Sequence, residues 1–293
     1  MTDWTSIAKH IAAASGEAFA AQPPRTIGGG CINAAVRLSD GRRSYFVKTN
    51  AASRLEMFEA ELAGLQALAA TRTLRVPQPL CCASLGAQAY LVLEYVEPGT
   101  PRSTSPALAG RQLAALHRCL GQRFGWHRDN TIGATPQRNP QTGDWVGFWR
   151  DNRLGFQLRL AADNGYRGSL QNGGERLLDR LPALLEHEPH PSLLHGDLWG
   201  GNLSYDREGN PVIYDPAVYY GDRETDLAMT ELFGGFPADF YAAYREAWPL
   251  DAGYPVRKTL YNLYHILNHL NLFGGGYLGQ AEAMIGRLLA QLG

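Results

Sequence analysis

His195-Gly196-Asp197-Leu198-Trp199-Gly200-Gly201-Asn202 and then Ile213-Tyr214-Asp215-Pro216 decide how this chain is read. The first stretch spells H-G-D-x-x-x-x-N. Thirteen residues after Asn202 an Asp closes a short apolar run. This is the order and spacing of a phosphoryl-transfer loop and its metal-binding Asp. Asp197 can orient or deprotonate an acceptor hydroxyl. Asn202 and Asp215 can offer oxygen to Mg²⁺, a hard cation that takes one or two protein groups besides phosphate oxygens. Taken singly, an H-G-D or an Asp after a strand is often only a turn. The conjunction carries the reading. The Gly200-Gly201 pair is expected to let the backbone turn between Asp197 and Asn202.

Outward from that centre, the chain has 293 residues, 45% hydrophobic and 19% charged, enough for two lobes with cores of their own. A net charge of −1 gives no footprint for nucleic acid or a membrane surface. No run approaches a membrane span, and the N-terminus lacks the basic and apolar regions of a signal peptide. Cys31, Cys81, Cys82 and Cys119 match neither a zinc site nor a disulfide framework, which points to a reducing cytoplasm.

The N-terminal half reads as a nucleotide lobe. A helix is expected over Ile7 to Phe19, capped by Asp3 or Thr5 and stopped by Pro23-Pro24. Then come strand 25–27, the glycine loop Gly28-Gly29-Gly30-Cys31, strand 34–38, the turn Ser39-Asp40-Gly41, and a strand from Ser44 ending in Lys48. Glycines let backbone N–H groups approach phosphates, and an ammonium at Lys48 can reach them too. The next helix has Phe58, Leu62 and Leu65 on its core face. Glu56, Glu59 and Glu61 are its candidates to pair with Lys48. Tyr90 to Val96 reads as a buried strand leading to a hinge. There, backbone groups near Glu94 and Val96 would meet adenine.

The C-terminal half reads as the acceptor side. A helix over Ala107 to Leu120 presents Leu113, Leu116 and Leu120, and its His117 reads as structural rather than catalytic. Beyond it lies a stretch rich in rings and amides, with Trp126, His127, Asn130, Gln137, Asn139, Trp145, Phe148 and Trp149. It suits a polyol; equally, Trp145, Phe148 and Trp149 could simply start a helix. Thr225 or Asp226 could cap a helix, or Asp226 could bond back to the catalytic loop. His265, Asn268 and His269 share a helix face, as a pocket wall or as a buried polar network.

Together these segments resemble the fructosamine kinase family, the ketosamine 3-kinases, in the aminoglycoside phosphotransferase-like branch of the protein-kinase fold. The resemblance covers nearly the whole chain. Its carriers are GGGCIN at Gly28–Asn33, MFEAELAGL at Met57–Leu65, VPQPL at Val76–Leu80 and LVLEYV at Leu91–Val96. FGWHRDNTIG at Phe124–Gly133, LLHGDLWGGN at Leu193–Asn202 and YHILNHLNLFGGGY at Tyr264–Tyr277 complete it.

The resemblance implies an α+β, bilobal kinase-like fold, with a small β-rich lobe over residues 1–96 and a larger, mainly helical lobe over 97–293. It implies transfer of the ATP γ-phosphate to the 3-hydroxyl of a ketosamine, an adduct of a sugar with a free amine or a protein lysine. The 3-phosphate then eliminates and regenerates the amine, which is deglycation. In that pattern Asp197 is the base, Asn202 and Asp215 bind Mg²⁺, Lys48 pairs with Glu61, and Gly28 to Cys31 form the phosphate loop. Trp126, His127, Trp149, His265, Asn268 and His269 are the acceptor-side candidates. HGD in place of HRD, Asp215-Pro216-Ala217 in place of DFG, and no A-P-E segment point to a small acceptor. A ribulosamine or erythrulosamine is expected ahead of a fructosamine.

Cys31, among phosphate-loop N–H groups, would favour thiolate. It is the candidate for a redox link in a chain expected to be a monomer or a homodimer. The competing readings are a kinase for an aminoglycoside, choline or homoserine, and a non-catalytic nucleotide-binding scaffold. The scarcity of clustered carboxylates on the acceptor side speaks against a cationic aminoglycoside. Retention of Lys48, Asp197, Asn202 and Asp215 speaks against a scaffold.

Overall fold

A computed structural model describes residues 2–28 and 32–292. Along the chain run α1 (Trp4–Ser15), β1 (Arg25–Thr26), β2 (Ala34–Ser39), β3 (Ser44–Ala51), α2 (Leu55–Ala70), β4 (Pro79–Leu85) and β5 (Gln88–Glu94). Then come α3 (Ser105–His117), β6 (Asn130–Ile132), β7 (Thr135–Gln137), α4 (Trp145–Trp149), α5 (Gly155–Asp163) and α6 (Ser169–Leu184). β8 (Ser192–Leu194), β9 (Leu203–Tyr205), β10 (Pro211–Ile213), β11 (Tyr219–Gly221), α7 (Glu224–Leu232), α8 (Ala238–Ala247), α9 (Tyr254–Phe273) and α10 (Leu278–Ala290) complete the order. The chain forms two compact units, Met1–Ser105 with Ser204–Pro216, and Pro106–Leu203 with Ala217–Gly293. The first unit therefore runs past Val96 to Ser105 and takes back a later segment.

The first unit is built on an antiparallel sheet of order β1-β2-β3-β5-β4. One face packs on α1, where Ile7 and Ile11 meet Leu38, Val47, Tyr90 and Val92. Asp3 caps α1 by accepting from Ser6 N at 3.0 Å. The helix ends at Gly16, whose φ of 73° is left-handed, and not at Pro23-Pro24. Glycine ends it ahead of the prolines that the sequence offers as the stop. The β2–β3 turn is held by Asp40, whose Oδ1 accepts from Arg42 N and Arg43 N. β3 continues to Ala51, so Lys48 lies inside the strand, opposite Ala35 and Leu91, rather than at its end. On α2, Phe58 and Leu65 are fully buried, whereas Leu62 is only partly so and Leu68 joins the core.

Residues 204–216 belong to this unit through backbone pairing. Ile213 N donates to Arg75 O at 3.0 Å, and Gly99 N donates to Tyr205 O at 2.8 Å. A Cβ on Gly99 would stand 2.1 Å from Asp206 O, so only glycine allows this approach. Asp206 also receives Arg75 Nη1 at 2.6 Å.

The second unit is mainly helical around α9, which packs on α5, α7 and α10. From Leu260 to Asn268 every residue of α9 is buried, as befits a central helix. α3 stops at His117, and Leu120 lies beyond it, 51% exposed, instead of extending the core stripe. Trp145, Phe148 and Trp149 start a helix capped by Asp144, which accepts from Gly147 N at 3.0 Å. The indoles of Trp145 and Trp149 pack with Tyr261, and Trp149 also meets Tyr264. No helix of the described residues is long and apolar enough to cross a membrane.

Candidate active site

In the first unit the site centres on Lys48. β3 points its ammonium between α2 and the segment after β10, where it bonds Glu61 Oε1 at 2.6 Å and the carboxylate of Asp215. Of the three candidate glutamates on α2, Glu61 is the partner, and Glu56 is exposed. Lys48 is 5% exposed. Burial opposes its charge, but Glu61 and Asp215 outweigh burial and hold its pKa above the ordinary lysine value. Burial pushes Glu61 up, against the pull of Lys48.

Asp215 has a φ of 57°; Arg72 is the other non-glycine residue with positive φ among the described residues. A left-handed Asp costs about 1–3 kcal/mol and persists where its surroundings over-determine it. Its side chain is still 47% exposed, so it is held by Lys48 yet reachable from solvent.

Gly29, Gly30 and Cys31 lie outside the described residues, and with them the phosphate-loop and thiol readings. Just past the loop, Asn50 Nδ2 donates to Ile32 O at 3.1 Å and to Asn33 Oδ1 at 2.7 Å. Asn50 pins the chain on the C-terminal side of the glycine run, a role that nothing in its local sequence signals. At the hinge, Glu94 N donates to Gln78 O at 2.8 Å, and its carboxylate receives Arg75 and Gln78 N.

Lys48→Met is expected to leave Glu61 and Asp215 without their shared cation. Breaking a fully buried pair costs about 3–5 kcal/mol. The exposure of Asp215 brings the expected loss to about 3 kcal/mol or less. Chemical denaturation measures it, and calorimetric titration with ATP should show binding lost as well.

In the second unit the catalytic loop leaves β8 at His195. Asp226, on α7, accepts from His195 N at 2.7 Å and from Gly196 N at 2.8 Å. His117 Nε2 lies 3.2 Å from the same carboxylate, and its Nδ1 lies 2.8 Å from Tyr244 Oη. The bond back to the loop is thus what Asp226 does, and His117 is structural. The N-cap of α7 is Arg223, without a side-chain cap bond, and neither Thr225 nor Asp226; just before it, Asp222 Oδ1 accepts from Glu224 N at 3.0 Å. Asn202 Nδ2 donates to Asp197 O at 2.8 Å and to Asp197 Oδ2 at 3.2 Å. The NH₂ of Asn202 is so engaged on Asp197, and the Asp197 carboxylate is held to it.

The glycine that the loop requires is Gly196. Its φ is 83°, and a Cβ would fall 2.1 Å from Ala217 O. Gly200 and Gly201 lie in a short 3-10 turn with no positive φ. Gly201 is needed for another reason: a Cβ there would strike the Trp199 indole at 2.3 Å. Gly200→Ala should therefore retain activity within about threefold, whereas Gly196→Ala should lose the fold of the loop, a contrast checked by kinase assay and thermal melting.

The amides after Phe124 serve the scaffold. Asn130 Nδ2 donates to Val218 O at 2.8 Å and Gln137 Nε2 to Ala217 O at 3.1 Å. Arg153, 0% exposed, donates to Asn139 Oδ1 at 2.7 Å, with its guanidinium 4.1 Å from the Tyr219 ring. Ala217 N in turn donates to His195 O at 2.8 Å. These side chains hold the strand beside the catalytic loop and are not a polyol surface.

The acceptor-side candidates separate. Trp149 has no exposed surface and belongs to the core, which corrects its expected place among them. Asn268 is buried in bonds with Gln157 and Ile132 O, the network reading. His265 is buried and held neutral, its pKa pushed down to about 3 by burial and by His269. Trp126 is buried against Tyr220, while His127 beside it is exposed. His269 is half-buried and ringed by Phe233, Phe273 and Tyr277 at 4.8, 5.4 and 5.2 Å between centroids. Phe233 also meets Trp199, two residues after Asp197 and 38% exposed. Nothing in the sequence singles out Trp199 and Phe233 as partners.

The fructosamine kinase family model matches residues 3–291. The chain belongs to the fructosamine kinase family. It is 50% identical, over 98% of its length and 97% of the relative's, to a Synechocystis protein named as a candidate ketoamine kinase. It is 43% identical to the chloroplastic protein-ribulosamine 3-kinase of Arabidopsis thaliana, over 91% of this chain and 82% of the relative. A crystal structure of a candidate fructosamine-3-kinase from Haemophilus somnus 129PT superposes with a TM-score of 0.90 at 29% identity, covering 98% of this chain and 97% of that one. In this fructosamine kinase, Trp199 is legible as part of HGDLWGGN, but Phe233 comes to it from the end of α7 and His269 to Phe233 from α9, which only folding brings about.

Proposed function

We propose that this chain is an ATP-dependent ketosamine 3-kinase whose product eliminates to free the amine. The observation that carries the reading is the Asp197–Asn202 pair in a loop clamped by Asp226, on a chain of this family. In the proposed reaction the ketosamine 3-hydroxyl oxygen attacks the γ-phosphorus, and the bond from that phosphorus to the β–γ bridging oxygen breaks. Asp197 takes the hydroxyl proton, and ADP leaves. Lys48, held by Glu61, is assigned to the phosphates, and Gly28, Gly29, Gly30 and Cys31 are assigned as the phosphate loop. The adenine contacts are assigned to the Glu94 carbonyl and the Val96 N–H, since the Glu94 N–H is spent on Gln78.

Asn202 and Asp215 are assigned to Mg²⁺. An amide oxygen and a half-exposed carboxylate are the hard donors that this ion takes. When bound, Mg²⁺ neutralises charge on the phosphates. On the acceptor side, Trp199 and Phe233 with His269 offer ring faces for the sugar ring or the lysyl chain. Ribulosamine is the adduct we favour, in keeping with the plant relative's name. A cytoplasmic setting suits Cys81, Cys82 and Cys119, which form no disulfide among the described residues.

The test is ATP consumption with Mg²⁺ over ribuloselysine, erythruloselysine, fructoselysine, kanamycin, choline and no acceptor. Turnover on a ketosamine supports the proposal and ranks the sugars. Turnover confined to kanamycin or choline would sink it.

A further inference from the structure

The start of α7 carries a group of side chains that the proposed reaction does not use. A cavity of about 280 Å³ is lined there by His187, Ser192, Asp222, Glu224 and Asp251, among others. His187, Asp222 and Glu224 each offer one ligand atom, and these atoms lie within 4.8 Å of one another. Asp222 and Glu224 are 2% and 3% exposed.

With a neutral imidazole at His187, the form that binds a metal, the charges do not balance. Arg257 is spent on both oxygens of Glu224, at 2.7 Å each, and on Asp251 at 2.7 Å. Arg223, the arginine of the lining, donates to the carbonyls of Trp248 and Pro249 and to Tyr244, and it stacks on Trp248. Asp222 is left with neutral donors and the imidazole of His187, at 2.6 Å. A buried carboxylate in excess is costly unless a cation meets it. Two polar atoms of the lining also lack a protein partner. They are His187 Nδ1 and the Oγ of Ser192, a residue only 1% exposed.

We propose that His187, Asp222 and Glu224 hold a divalent ion of the zinc class, with a metal-bound water facing Ser192 Oγ. One imidazole with two carboxylates suits zinc better than Mg²⁺ or Ca²⁺, which take oxygen alone. Zinc bonds of about 2.0–2.2 Å put tetrahedral ligand atoms about 3.4 Å apart. The widest pair closes in by roughly 1.4 Å or less, while His187 and Asp222, 2.6 Å apart, exchange their hydrogen bond for the metal and open slightly. Tyr261 donates to Asp222 Oδ2, the kind of outer-shell bond that orients a ligating carboxylate. Two residues beyond Glu224 on α7, Asp226 grips the catalytic loop, so occupancy would brace the helix that carries that grip. The proposal does not rest on the kinase reading.

The experiment uses the full chain, stripped with chelator and free of nucleotide, titrated with Co²⁺ and watched through its visible d–d absorption. One Co²⁺ per chain is expected, with the intense spectrum of a low-coordinate site, displaced by Zn²⁺. His187→Ala should weaken binding by more than about 100-fold, beyond the 10–100-fold of an outer-shell change. Asp215→Ala should retain it. Circular dichroism confirms the fold of each variant; if His187→Ala fails that check, His187→Gln takes its place. No such spectrum in the wild type, unchanged binding in the His187 variant, or loss in Asp215→Ala would each overturn the site.

Discussion

Asp197→Asn is expected to lower kcat on a ketosamine by about 10²–10⁴-fold, the usual contribution of a positioned general base, or roughly 3–5 kcal/mol of barrier. The substitution keeps shape. Asn202 still has a side-chain oxygen to donate to, and its bond to the Asp197 carbonyl does not depend on the side chain. Only the capacity to take a proton is lost. KM for ATP should therefore stay within about threefold, because the phosphate-side groups are untouched. Steady-state kinetics with the best acceptor of the panel measures both. A fall of less than tenfold in kcat would remove Asp197 from the chemistry.

The second large effect is expected at Asp226→Asn. The native carboxylate is 1% exposed and accepts from the N–H groups of His195 and Gly196. An amide has one acceptor oxygen and one NH₂. Whichever way it turns, its NH₂ faces a backbone N–H, and one buried donor goes unsatisfied. The cost is about 3–5 kcal/mol in stability, since His117 also loses its carboxylate partner. The loop carrying Asp197 loosens with it, so kcat falls while ATP binding persists.

The pH dependence has a definite sign. Burial works to raise the Asp226 pKa, but the His117 bond and charge, the charge of His195 and the Gly196 N–H hold it below the ordinary value. A depressed carboxylate stabilises the fold fully above about pH 4 and loses that contribution as pH falls through its folded value. The gap in melting temperature between wild type and Asp226→Asn should be constant from about pH 5 to 7 and shrink below about pH 4. A gap independent of pH down to about 3 would rule this out.

Much of the site is legible in the chain because its chemistry is local. Asp197 and Asn202 are five residues apart, and their hydrogen bonds close within one loop. Family pattern picks Glu61 from three glutamates, and geometry agrees because its place on α2 reaches Lys48. Other readings fail where two segments have to meet. The Gly200-Gly201 pair looks like the flexible turn, yet Gly196 is the required glycine, because Ala217 O packs against it. Asn130, Gln137 and Asn139 look like sugar-binding amides. They are spent on the backbone at Ala217 and Val218 and on Arg153, partners far off in the sequence.

By itself the sequence determined the fold class and the reaction type, and it named the residues expected to perform it. Those depend on which functional groups are present and how far apart they stand along the chain. Tertiary structure alone decided which groups are used. It put Asp215 on Lys48 across 167 residues, buried Trp149 among tyrosines, left Trp199 partly open close to Asp197, and gathered His187 with Asp222 and Glu224. Burial and long-range hydrogen bonding depend on which segments meet, and no local spacing encodes that.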